Sequence, residues 1–309
     1  DFTISRNGRF DGALTNAIKG GNPTASTDNR FGFNYTVENI LTYNKQIKDH
    51  SLNVTLLQSM QRDNFEQFTQ SVLGVPVETQ QFFNVGNASS IQGVGSNLIQ
   101  WTIASYMARI NYDYKGKYLL TVTARRDGSS RFGPENRYGI FPAVSAAWRV
   151  TSEEFMKDLP AISDLKIRGG WGLMGNSNNV NPANQFSLYA ADRGTSFYPI
   201  DGQSSGANEG YFRSRIGNPA AKWETSETMN IGFDATLYNG KWEIVLDVWR
   251  KDTRDLLFNV PLPAVVGNSA SAPSVNVAKM RNQGIDFQII NRGNLTSDLK
   301  YELTFNNSF

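Results

Sequence analysis

With 309 residues, of which 39% are hydrophobic and 19% charged, the chain can bury a core and falls outside the disordered class. A net charge of +2 argues against a nucleic-acid partner, and the absence of cysteine excludes disulfide frameworks and thiolate metal sites. No apolar run reaches about 18 residues, which excludes a helical membrane span but not a β-barrel, whose strands are apolar on one face only.

In chain order, residues 1–30 form either one external loop or a loop with part of a strand. Period-two alternation then marks strands near 33–46 and 51–61, joined by the short "IKDH" turn. "NFEQFTQSVL" (64–73) carries helical spacing and is expected to be a loop helix within a long connection, 62–98. Strands near 99–114 and 117–127 flank "KGK", and another near 137–150 follows the polar loop 127–137. "TSEEFMKDL" (151–159) opens with Thr151 three residues before Glu154, the spacing of a helix capping box. After a strand near 164–174 and a long connection, 175–223, strands near 224–238 and 241–252 flank Asn239-Gly240, the pair preferred by a type I′ hairpin. A further connection, 253–276, leads to strands near 277–290 and 299–309.

The result is about ten antiparallel strands whose short and long connections alternate. A soluble sandwich has no reason to sort its loops in this way, whereas an outer-membrane barrel has short periplasmic turns and long extracellular loops. The aromatic residues give an independent indication. Tyr43, Tyr112, Tyr114, Tyr118, Trp148 and Trp242 lie beside short connections on the apolar parity of their strands, as an interfacial girdle requires. The opposite parity carries Asn111, Asp113, Thr121, Thr123, Arg125, Arg149, Arg168, Asp234, Glu243 and Asp247. Charge at that density is costly on the inner face of a sandwich and expected along a wet lumen.

Residues able to do chemistry are few. The single histidine, His50, falls in a short turn and reads as a solvated turn residue. Glu153 and Glu154 suit a helix N-terminus, and the glycines of "GWGLMGN" suit strand curvature rather than phosphate binding. No catalytic residue, metal or cofactor is assigned, and the chain is not expected to be an enzyme. Ligand contacts are expected from the long loops. In 175–223, "TSFYPIDGQ" and "NEGYFRSR" place Phe197, Tyr198, Tyr211 and Phe212 among polar residues, where aromatic faces suit stacking on a sugar or gripping a peptide. The bland reading is that these rings pack against their own loop or a partner. Asp127, Arg131 and Arg137 are expected to tether their loop through ion pairs.

"ARINYDYKGKYLLTVTARRDGSSRFGPENRYGIFPAVSAAWRV", "ISDLKIRGGWGLMGN", "NPAAKWETSETMNIGFDATLYNGKWEIVLDVWRKDTRDLLFNVPLP" and "VNVAKMRNQGIDFQI" occur in this order over about residues 99–309. This region resembles the barrel of SusC/RagA-type TonB-linked outer-membrane transporters of Bacteroidetes-like bacteria. The resemblance implies that residues 1–309 are part of a 22-stranded TonB-dependent receptor β-barrel domain in the outer membrane of a Gram-negative bacterium, with the plug domain outside this chain. It also implies outer-membrane lipid around the barrel, a SusD-type surface lipoprotein as partner, the TonB complex as energy source through an N-terminal part, and an oligosaccharide or peptide as substrate. The chain starts at Asp1 without an initiator Met or signal peptide and is expected to be processed or partial. The alternatives are a self-standing porin or adhesin barrel and a soluble β-rich binding protein.

Overall fold

The computed structural model describes residues 1–12, 21–192, 194, 196–200, 202, 207–263, 265 and 270–309. Its main sheet has eleven strands in the order β1 (Phe2–Asp11), β2 (Thr24–Ile47), β3 (His50–Leu73), β4 (Ser90–Tyr114), β5 (Tyr118–Ser129), β6 (Tyr138–Arg149), β7 (Ile162–Asn176), β12 (Glu224–Leu237), β13 (Trp242–Asn259), β14 (Ser274–Asn294) and β15 (Lys300–Ser308). Between β7 and β12 lie four short strands: β8 (Leu188–Ala190), β9 (Tyr198–Pro199), β10 (Ala207–Asn208) and β11 (Phe212–Arg215). These pair as β9 with β10 and β8 with β11. Every main-sheet neighbour is the next strand of the sheet in sequence, as hairpin connections dictate.

Two compact units are present. The first comprises Asp1–Val37 and Met60–Ile103. In it β1 pairs with the first half of β2, from Phe2 opposite Phe33 to Asp11 opposite Thr24, so part of residues 1–30 is strand. Residues 13–20 of that stretch lie outside the described residues. Residues 64–73 belong to β3 and are not a loop helix. Phe65, Phe68 and Val72 have helical spacing, but pairing with the neighbouring strand decides their state: Gln67 donates across to Asp28 (3.0 Å), and Val72 is buried with Ala25 and Val75. The connection expected over 62–98 therefore shrinks to the segment between Leu73 and Ser90, which contains a 3-10 stretch, Glu78–Asn87.

The second unit comprises Glu38–Ser59 and Ala104–Phe309. Its registers establish the two faces predicted by alternation. Tyr118 sits opposite Trp148, Leu120 opposite Ala146 and Val122 opposite Val144, while Thr121 faces Ser145 on the other side. The apolar set continues through Ile167, Phe233, Leu246 and Phe287, each paired with the next. These apolar side chains do not form a core: Leu120, Val122, Ile231, Val248 and Ile285 are all more than two-fifths exposed. A sheet that turns its large aliphatic residues outward has the sidedness of a barrel in hydrocarbon, the inverse of a soluble sandwich.

The girdle extends beyond the residues chosen by parity. His50 is not a turn residue but the first residue of β3. Its Nδ1 lies 2.6 Å from the Tyr112 hydroxyl, and its ring lies 4.7 Å from that of Tyr114, which stacks in turn on Tyr118. Residues 151–159 form no capped helix. Two 3-10 turns, Val150–Ser152 and Glu154–Met156, occupy the segment without a side-chain cap. The Thr151 hydroxyl donates to Asp164 (2.8 Å) and accepts from Leu165 N–H, because β7 offers it better partners than the three-residue turn. Glu153 becomes the anchor: it pairs with Lys117 and accepts from the Tyr118 hydroxyl (2.8 Å) and the Trp148 indole (3.0 Å).

Those three donors, Lys117 first, hold the Glu153 carboxyl below the usual range. A depressed carboxylate stabilises the rim above the free glutamate pKa of about 4.3 and loses that contribution as pH falls through the lower folded value. Trp148 emission should therefore shift only below the free-glutamate range, and Glu153→Gln should remove that titration. A midpoint at or above the free-glutamate value would contradict the assignment.

Candidate functional site

The polar face of β2 to β15 is an ordered wall. On its first half, Asn53 donates to Asn44 (2.5 Å), Asn111 to Asn53 (2.9 Å) and Thr121 to Asn111 (2.9 Å), a continuous chain across β2, β3, β4 and β5. Arg109 donates to Thr123 one step higher, and Arg125 is held by Asp127 (2.7 Å). On the second half the wall is charged. Arg168 engages Asp247 through both terminal nitrogens at 2.6 Å and directs its Nε to Asp234 at 3.1 Å, while Lys166 reaches Asp234 at 2.7 Å. Arg292 bridges Glu243 (2.9 Å) and Glu302 (2.5 Å). Cations on β7 and β14 flank the carboxylates of β12 and β13, so each charge stays ionised with a partner in a half-wet environment.

Small residues shape this wall. Gly170 and Gly172 of β7 face Ser145 and Ala143 of β6, leaving a polar groove of about 500 Å³ that Thr121, Thr123 and Asn230 also line. Gly170 and Gly172 of "GWGLMGN" thus serve packing on the polar face, while Gly175 lies against the Phe141 ring.

Beyond the strand ends the long loops pack into a platform with its own core. Phe132, Phe141, Val180, Ala221, Trp223 and Leu257 are buried together, with the Phe132 and Trp223 rings 5.0 Å apart. Polar side chains lock the chain around them. Arg131 donates to the carbonyls of Ser177, Asn178 and Val180 at 3.2–3.3 Å, so this arginine tethers its loop to backbone oxygens of the 177–180 segment. Asp127 pairs instead with Arg125, and the Arg137 carbonyl accepts from the Trp223 indole. The fully buried Asn184 exchanges two bonds with the Ser274 backbone (2.8 and 3.1 Å). Neither the buried core residues nor Asn184 stands out in the sequence, although Asp127, Arg131 and Arg137 do as loop tethers. A lone Phe or Trp within a Gly/Pro/Ser-rich loop is the available signal, since a ring left in water there forfeits its burial.

The platform carries the four aromatic candidates, but does not bring their rings together. Tyr198 lies in β9 opposite Asn208, and Phe212 opens β11 opposite Ala190. Tyr198 and Tyr211 are 61% and 69% exposed, and Phe197 and Phe212 are half-buried. Among the described residues no ring contact links the four. Glu209 holds the Tyr211 phenol above its ordinary pKa through a hydrogen bond. Asp201 and Gln203 of the same stretch lie outside the described residues.

Comparison with known proteins supplies the family. The model of the TonB dependent receptor-like β-barrel matches residues 1–309. TonB-dependent receptor P26 of Formosa agariphila is 31% identical over 304 residues, covering 96% of this chain and 29% of that protein. TonB-dependent receptor SusC of Bacteroides thetaiotaomicron is 34% identical over 206 residues, covering 66% of this chain and 20% of that protein. Among solved structures, the RagAB peptide transporter superimposes with a TM-score of 0.85 at 21% identity, covering 99% of this chain and 33% of that one, which establishes the shared fold. The chain thus spans about a third or less of the length of these relatives.

Proposed function

Because the chain belongs to the TonB-dependent receptor-like β-barrel family, placed in the outer membrane of Gram-negative bacteria, we propose that it forms part of the wall of an active transporter importing a glycan or peptide nutrient. Family members are receptors and transporters, not enzymes. In this reading residues 1–309 are barrel throughout, a plug domain and TonB-interacting segment come from other parts of the protein, and a SusD-type lipoprotein sits over the loop platform. The observation that carries it is the charged inner wall around Arg168, a fixed polar lining against which a plug or passing solute exchanges hydrogen bonds without disturbing the strands.

The test is uptake of labelled oligosaccharides and peptides by cells carrying the full-length protein. Active transport predicts that uptake of one substrate class ceases when the proton-motive force is collapsed or TonB is deleted. Uptake that persists under both treatments means a passive pore and overturns the proposal.

We assign initial ligand contact to Tyr198 and Tyr211, whose rings stand clear of the platform, with Phe197 and Phe212 supporting them. Tyr198→Ala and Tyr211→Ala should each weaken substrate binding about tenfold, the scale for an aromatic anchor, with surface expression unchanged. If instead only copurification of the lipoprotein falls, the rings belong to the partner interface.

A further inference from the structure

The apolar face of the second unit carries a groove of about 740 Å³ across β2 to β6, larger than the groove of about 570 Å³ between β12 and β14 on the same face. Ala108 and Ala124 form its floor, and Leu41, Leu56, Tyr106 and Ile140 its walls. These residues all have the outward parity. The hydrogen-bond chain Asn44–Asn53–Asn111–Thr121 fixes the inward positions of β2, β3, β4 and β5, and Ile140 sits opposite outward Arg126. The groove therefore opens towards lipid, not lumen.

Arg126 stands at one end of it. Its guanidinium carbon lies 4.2 Å from the Tyr138 ring centroid, and both residues are exposed. Among the described residues no carboxylate pairs with it. That sets it apart from Arg125, bound by Asp127, and from Arg250 and Arg281, both bound by Asp252. Arg126 lies eight positions beyond the girdle residue Tyr118, with only Leu120, Val122 and Ala124 outward between them. At about 3.4 Å per residue and a tilt of about 40°, this raises it roughly 20 Å, towards the far edge of an apolar band about 25 Å tall. An unpaired cation at that depth meets the headgroups of the outer leaflet. A further polar pair, Asn39 donating to Gln58 (2.9 Å), lies beside the groove on the same face.

We propose that this groove holds an acyl chain of a phosphorylated glycolipid of the outer leaflet, with the phosphate on Arg126. The occupant follows from three features together. The groove is continuous with the lipid-facing belt, its floor of two alanines leaves room for a chain, and its only outward unpaired charge matches a phosphate, which a guanidinium held over a ring can bind through two parallel hydrogen bonds. The inference rests on the outer-membrane placement of the barrel and not on the identity of its cargo.

The experiment uses the full-length transporter, delipidated in mild detergent and titrated with purified lipid A, with bound lipid counted by native mass spectrometry. Wild type should retain lipid A and bind enzymatically dephosphorylated lipid A about tenfold more weakly, the scale of one charge-assisted contact. Arg126→Gln should bind lipid A about as weakly as wild type binds the dephosphorylated form. Ala124→Leu, which fills the floor, should weaken both lipids, with Ala108→Leu as the second variant should the first fail to reach the membrane. Equal binding of both lipids by wild type, or unchanged binding by Arg126→Gln and a floor variant, overturns the proposal. So does loss of a dimeric species in a floor variant with lipid binding intact, which would make the groove an interface between copies.

Discussion

Trp223→Ala is expected to unfasten the extracellular loops while leaving the barrel strands in place. The indole is 8% exposed, packs on Phe132 at 5.0 Å and edge-on against Phe141 at 5.5 Å, and donates to the Arg137 carbonyl (3.2 Å). Its removal leaves a cavity shared by loops on both sides of β6 and β7 and takes one of two hydrogen bonds from the Arg137 carbonyl, which keeps the Ser129 N–H. Large-to-small changes of this kind cost about 3–5 kcal/mol, and here the cost falls on the platform, whose segments are otherwise held mainly by side-chain to backbone bonds. Limited proteolysis of intact cells should cleave within 177–223 far faster than in wild type, with heat-modifiable migration retained. Ligand binding should fall with it, because the base of the β8–β11 pair is tied to the platform where Asn218 N–H donates to the Asn184 carbonyl and Gly217 N–H to Ser187. Wild-type protease resistance would mean that the platform is held by something other than the Phe132–Trp223 pair.

The second large effect is expected at Gly232. A Cβ at this position would lie 2.5 Å from the Leu246 carbonyl oxygen and would collide with the Asp247 carboxylate. The clash with backbone cannot be relieved by a rotamer change, so Gly232→Ala must spread β12 from β13 or push Asp247 away from Arg168. Strain of this kind costs about 1–3 kcal/mol, and the displaced bidentate pair adds about 1–2 kcal/mol for a part-exposed charge-assisted bond. The variant should show a lowered unfolding temperature in detergent and slower barrel assembly. Asp247→Asn, which keeps the shape and weakens only the pair, should add little further loss in the Gly232→Ala background, the non-additivity expected of neighbours. Additive losses would mean that the clash acts on the Leu246 backbone alone.

Much of the sheet is legible in the sequence because a strand exposes its environment every second residue. Tyr118, Leu120 and Val122 against Thr121 and Thr123 separate the faces without any knowledge of neighbours, and the registers confirm that separation. The girdle is legible for the same reason, although His50 joins it only through contacts with Tyr112 and Tyr114 on another strand. What escapes local reading is whatever depends on distant partners. Phe65, Phe68 and Val72 carry helical spacing, yet pairing with β2 makes them strand. Thr151 has a capping box in sequence and bonds Asp164 in the fold. Arg131 bonds three carbonyls more than forty residues away, partners that no local pattern announces. The loop platform as a whole belongs to this class, since Phe132 and Trp223 become neighbours only after β6, β7 and the intervening hairpins have formed. Composition marks the aromatic candidates but carries no pairing information: Tyr198 falls in β9 and Phe212 in β11, while Phe197 and Tyr211 lie just before those strands.

The central claim is that Leu120 and Val122 face lipid while Thr121 and Thr123 face water. The sequence has no cysteine, so single cysteines at these four positions of the full-length protein can carry spin labels without background. In reconstituted bilayers, labels at 120 and 122 should collide readily with oxygen and poorly with a water-soluble nickel complex, and labels at 121 and 123 should do the reverse. Equal accessibility at all four positions, or the inverted pattern, would contradict the account.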